Sequence, residues 1–158
     1  MPDQKPPTQA AGERETLLGL LQFQRDSIVR KVRGLSEEQA RWSPVPSGTS
    51  LLWLVRHLTM AESIWVLHRF GGEPRSVVAA NSIDGRYTVR AVVADYRAIW
   101  ARSDATVAAA DLDDRCRSAT VDRPVNLRWV LAHLLEETAR HAGHADLIRE
   151  QIDGRVGR

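Results

Sequence analysis

Apolar residues spaced three and four apart recur over four long stretches of this 158-residue chain, and no stretch shows a convincing period of two. That spacing stacks side chains on one face of an α-helix, so the chain is expected to be all-α. The first stretch, Glu13 to Gly34, carries Leu17, Leu20, Leu21, Gln24, Ile28 and Val32, with Leu35 just beyond. The second runs from about Thr49 to Phe70 and is apolar almost all round. A helix of that kind lies centrally in a bundle or in a subunit interface. The third starts at the predicted N-cap Thr88 and runs to about Ala110, with Val89, Val92, Val93, Tyr96, Ile99, Trp100 and Val107 on its stripe. The fourth follows the predicted N-cap Asn126 and runs to Ile152, stopped by Asp153-Gly154. Ser36-Glu37-Glu38-Gln39 has the form of a capping box and predicts a short extra helix ending near Trp42. Ser43-Pro44-Val45-Pro46-Ser47-Gly48 reads as a loop. The connections 71–87 and 111–125 are long enough to permit a crossover in a four-helix bundle. One domain over residues 13–158, behind a disordered leader over 1–12, is the expected organisation.

Composition removes several function classes. Lysine and arginine exceed the acids by only two charges, so the pI of 9.1 overstates basicity. The arginines are scattered among acids, read as mostly solvated faces, and form no stripe that would suit nucleic acid. No apolar run approaches the ~20 residues that cross a bilayer. Cys116 is the only cysteine, so no internal disulfide argues for secretion, and a cytoplasmic protein is expected. A catalytic thiol at Cys116, in a loop region, is disfavoured.

The chemistry is concentrated on the fourth helix, in His133-Leu134-Leu135-Glu136-Glu137-Thr138-Ala139-Arg140-His141-Ala142-Gly143-His144. At about 100° per residue, Leu127, Leu131, Leu134, Ala145, Ile148 and Ile152 define the buried face, with His141 within it. Glu137 lies at its edge, about 40° from His141 and one turn before it. An ionised carboxylate turned towards an apolar core is costly unless it is paired or ligates a metal. Glu137 and His141 can converge on one ion, and a third ligand from another helix would complete the site. His57, inside the apolar stretch Leu54-Val55-Arg56-His57-Leu58, is the candidate. His68 shares that side but lies three turns away, about 16 Å, too far for the same ion. The plainer readings are a Glu137–His141 ion pair, His57 as a satisfied core histidine, and His133 and His144 as surface or supporting residues. The five tryptophans read as core, apart from Trp42 and Trp53 near loops.

Taken together, Gly34 to Gln39, Trp42 to Leu52, Val55-Arg56-His57-Leu58 and Glu136 to Asp146 resemble the DinB-like superfamily. The resemblance covers roughly residues 14–154, and its nearest branch is an actinobacterial group related to mycothiol-dependent maleylpyruvate isomerases and bacillithiol transferases. It implies a four-helix bundle in up-down-down-up order, often a homodimer. It also implies a metal site with one ligand from the second helix and two, four residues apart, from the fourth. Isomerase-like members use His, Glu and His, and the matching positions are His57, Glu137 and His141. Many relatives have glutamine at the position of His144, which is assigned here a supporting or substrate-facing role beside the open site, with Trp53 as a cofactor-facing neighbour.

The isomerases carry an additional C-terminal domain, while this sequence stops at Arg158, so general thiol chemistry is expected here rather than maleylpyruvate isomerisation. The function implied is that of a metal-dependent transferase or isomerase. A divalent ion, Zn²⁺ or Ni²⁺ by the chemistry of imidazole and carboxylate ligands, would activate a small-molecule thiol, mycothiol foremost, against an electrophile. The alternatives are a non-catalytic metal- or small-molecule-binding stress-response protein and a metal-assisted hydrolase.

Overall fold

A computed structural model describes residues 5–8, 11–74, 85–118 and 124–156. It contains α1 (Glu13–Val32), the short α2 (Glu37–Arg41), α3 (Leu51–Glu62), a π-helical continuation of α3 over Ser63–Phe70, α4 (Val89–Ala108) and α5 (Leu127–Asp153). Among the described residues the only β-type pairing is an isolated bridge between Arg115 and Asn126. The fold is an all-helical bundle. Part of the leader and the middles of both long connections lie outside the described residues. No described helix is long and apolar enough to cross a membrane.

The helix starts follow from local side-chain chemistry. Each N-cap oxygen accepts one of the backbone N–H groups that the first turn leaves without a partner. Ser36 accepts from the Gln39 N–H while Gln39 returns a bond to the Ser36 N–H, completing the capping box. Thr88 and Asn126 cap α4 and α5 as expected. For α3 the cap is Ser50, one residue after the expected start, and it accepts from the Trp53 N–H. Glu37 supplies a further acceptor to the Val89 N–H, so α2 helps hold the start of α4. Gly154 closes α5 with φ +74°, a left-handed conformation that favours glycine.

Contacts between helices fix their directions. Arg128 reaches Glu13 and Arg149 reaches Lys31, so α1 and α5 run the same way. Arg56 lies over Tyr87 and Arg102 meets Glu73, so the second and third long helices also share a direction. His57 meets His141 while Trp65, further along, meets His133, so α3 and α5 are antiparallel. These are the pairings that an up-down-down-up order requires. α3 packs against α1, α2, α4 and α5, and this central position explains why it is apolar all round.

The core is split in two. One apolar cluster gathers Ile28, Leu58, Trp100 and Ala142, and the other gathers Leu21, Val66, Val107 and Leu134. Between them every long helix contributes a polar residue: Arg25, Glu62, Ser103 and Thr138, all buried. Arg25 donates to Glu62 through Nε (3.2 Å) and Nη2, and to Asp104 at 2.9 Å. Three arginines depart from the reading of mostly solvated faces: Arg25, Arg56 and Arg149 are buried. Each makes a specific contact. Arg56 stacks over Tyr87 at 3.6 Å, and Arg149 donates to the Lys31 and Arg33 carbonyls at the end of α1.

The second half of the long apolar helix is wound as a π-helix rather than as the expected α-helix. Its last turn shows the wider spacing, with the Gly71 N–H donating to the Val66 carbonyl five residues back at 2.8 Å. A side chain at Gly71 would strike the Leu67 carbonyl at 2.8 Å, so only glycine fits this close approach. His68 serves the same end, donating from Nδ1 to the Glu73 carbonyl at 2.7 Å.

Candidate metal centre

His57, Glu137 and His141 come together between α3 and α5. The three offer one ligand atom each, and these atoms lie within 4.8 Å of one another. Glu137 Oε1 faces both imidazoles, 2.9 Å from His57 Nε2 and 3.2 Å from His141 Nε2. Two metal bonds of about 2.1 Å at a tetrahedral angle put their ligand atoms about 3.4 Å apart. The spacing and the nitrogen–oxygen donor set therefore fit a divalent ion. All three side chains are partly buried, between 12% and 20% exposed, so the centre opens to solvent on one side.

The surroundings orient the rings. Trp53 lies flat on His57, with centroids 4.8 Å apart and planes 8° apart. Since α3 places Trp53 one turn before His57, this is an i, i+4 ring pair on one helix. His141 stands edge-on to His57 at 4.7 Å. The Nδ1 atoms of His141 and His144 are 3.3 Å apart. With Nε2 of the neutral His141 ring donating to the ionised Glu137 carboxylate, its Nδ1 is left to accept from His144. His144 is itself exposed. Arg140 Nη1 approaches the other Glu137 oxygen at 3.8 Å.

Burial pushes the Glu137 carboxyl up, but the His57 hydrogen bond and the nearby imidazole charges outweigh it, and the net direction is down. Burial, joined by the His57 charge, holds His141 below the usual imidazole value against the opposing pull of Glu137. A carboxylate kept ionised and an imidazole kept neutral are the protonation states that bind metal. Both groups are depressed, so the stability they contribute is present above their unfolded values. It is lost as pH falls through the folded ones.

Other residues singled out in the sequence fall elsewhere. His68 closes the π-helical segment and does not join the triad. Cys116 is buried, bonds through its backbone N–H to Val125, and has its thiol pushed up by burial. His133 is no simple surface residue: it packs edge-on against Trp65 at 4.6 Å and flat on Trp129 at 5.0 Å. This ring cluster and the Arg25–Glu62 pair were missed in the sequence. Glu62 carried the same signal as Glu137, an acid within an apolar helix.

Comparisons with known proteins bear on the fold and the family. None of the curated proteins matches the chain. A solved structure, the conserved protein of locus from Enterococcus faecalis, shares the fold with a TM-score of 0.71 at 13% identity. The alignment covers 92% of this chain and all of that one. The model of the family described as mycothiol-S-transferase matches residues 16–154, almost the whole bundle and both helices that carry the triad. The chain belongs to the mycothiol-S-transferase family.

Proposed function

We propose that this protein is a metal-dependent thiol S-transferase that joins mycothiol to an electrophilic small molecule. The observation that carries the reading is the triad itself, with three ligand atoms from two antiparallel helices within 4.8 Å. His57, Glu137 and His141 would hold a divalent ion, Zn²⁺ or Ni²⁺. When bound, the ion lowers the pKa of the thiol so that it reacts as a thiolate at neutral pH.

The residues around the centre prepare that chemistry. Trp53 restricts His57 to one ring orientation and gives the thiol arm an apolar wall. With an ion in place of the Nε2 hydrogen, His144 would accept from the Nδ1–H of His141 and hold the ligating tautomer. His144 would then carry its own hydrogen on Nε2, at the exposed rim, from which it can donate to a bound substrate, while the proton that the thiol gives up passes to solvent. The anionic Glu137 would reduce the net positive charge of a centre that holds an ion, which keeps a thiolate there nucleophilic. The same reading includes a two-fold homodimer to which the second long helix or the segment around the exposed Trp42 contributes. A dimer mass in light scattering at micromolar concentration supports this interface, and a monomer mass removes it.

The test is conjugation of a panel of electrophiles by metal-loaded protein, comparing mycothiol, bacillithiol, glutathione and no thiol. Mycothiol is expected to react fastest. If none of the thiols is accelerated over its free rate across the panel, the transferase reading gives way to a non-catalytic binding protein. Acidification gives a second expectation. From pH 7.5 to pH 5, metal affinity measured by calorimetry should fall as protons compete with the ion for the ligand atoms.

A further inference from the structure

Two ring clusters occupy the cleft between the second long helix and α5. One is Trp53, His57 and His141 at the triad. The other is Trp65, His133 and Trp129, with all three pairs of rings between 4.6 and 5.1 Å apart. They are related by the antiparallel register. Eight residues forward from His57 comes Trp65, and eight residues back from His141 comes His133. On α5 that step is about 12 Å along the axis. The π-helical winding assists the alignment. Each turn takes about 4.4 residues rather than 3.6, so Trp65 is rotated back towards the face that carries His57.

The second cluster is built as a platform. Trp129 keeps 44% of its surface exposed although it is a large aromatic residue. His133 lies flat against it, with ring planes 17° apart, and Arg69 covers the Trp65 ring at 4.0 Å. Glu136 and Arg140 lie on α5 between the two clusters and are more than half exposed. Glu136 Oε2 lies 3.9 Å from His133 Nδ1, so a hydrogen-bond acceptor borders the rings. A flat aromatic face bordered by polar side chains suits a polyhydroxylated ring, whose C–H face stacks while its hydroxyls reach the border.

We propose that Trp129, with Trp65 and His133, is the subsite for the sugar portion of the thiol. This inference rests on the transferase reading above. Mycothiol carries its cysteine on a glucosamine–inositol pair, so a thiol with its sulfur at the triad extends its two rings by about the spacing between the clusters. Smaller thiols lack that reach. The platform thereby selects among thiols without touching the reacting sulfur, and it acts through binding rather than chemistry.

Two measurements test the proposal separately from the activity. The first is an NMR titration of the protein with glucosaminyl-inositol, which has no sulfur, following the indole N–H signals of all five tryptophans. Saturable shifts at Trp65 and Trp129, lost in Trp129→Ala, are expected whether or not the protein is a transferase. Shifts confined to Trp53, or none, overturn the subsite. The second is steady-state kinetics with mycothiol and with N-acetylcysteine. Trp129→Ala should raise the KM for mycothiol about tenfold, leave kcat unchanged and leave N-acetylcysteine unaffected, with Trp129→Phe restoring most of the loss. Equal loss with both thiols, or no change in KM, overturns it. Indole shifts without any thiol conjugation would retain the sugar site and remove the transferase reading.

Discussion

Replacing His141 with alanine is expected to abolish stoichiometric metal binding and, with it, all thiol conjugation. The side chain is one of only two imidazoles in the triad, and its loss leaves one nitrogen and one carboxylate, too few to fix an ion in a cleft. Elemental analysis after gel filtration, with calorimetry against Zn²⁺ and Ni²⁺, measures the loss directly. Glu137→Gln should weaken binding without eliminating it, because the amide oxygen still donates but carries no charge. Removing His144 should be milder again, on the order of tenfold to a hundredfold in affinity, the usual cost of losing a group that orients a ligand. If His141→Ala retains one equivalent of metal at unchanged affinity, the ion is held elsewhere and the assignment of the triad falls.

The second large effect is expected in the polar layer. Arg25→Met leaves Glu62 buried without its cation, and breaking such a pair typically costs about 3–5 kcal/mol. For a chain of this size that corresponds to a fall in Tm of roughly 10 °C, measurable by calorimetry. The pH dependence identifies the cause. Burial pushes the Glu62 carboxyl up even with Arg25 present. A folded value above the unfolded one makes the protonated state the stabilising one. The associated stability is present below the unfolded value and lost as pH rises through the folded one. The deficit of the variant relative to the parent should therefore shrink on acidification. Arg25→Met combined with Glu62→Met should recover most of the lost stability, since an apolar pair of similar volume has no charge to desolvate.

The two halves of this molecule differ in how far they could be read from the chain. The caps at Ser36, Thr88 and Asn126 were legible because each bond spans three residues and depends only on local backbone. Glu137 and His141 were legible for a related reason, since helical periodicity alone puts them on neighbouring positions of one face. His57 was legible from its apolar flanks. Arg25 was not, because its partner lies 37 residues away and an arginine beside an apolar stripe looks like any solvated one. The ring platform escaped for a different reason. Bringing Trp65 to His133 depends on the axial register of two helices and on the winding of one of them. Neither quantity is written in the residues of a single element. The π-helical segment has the composition of an ordinary buried α-helix, so nothing in Ser63–Phe70 announces it.

That wider winding also bears on how relatives of this chain are to be aligned. A π-turn accommodates more residues than an α-turn for the same rotation, so it is equivalent to an insertion absorbed without a loop. A homologue whose second long helix is α-helical throughout would keep its histidine in phase with His57 yet lose phase beyond Ser63. An ungapped alignment would then match the wrong residue to Trp65. The correct correspondence requires a gap inside the helix, where alignment procedures usually forbid one, and the side chains of the cleft are comparable between family members only after that gap is placed.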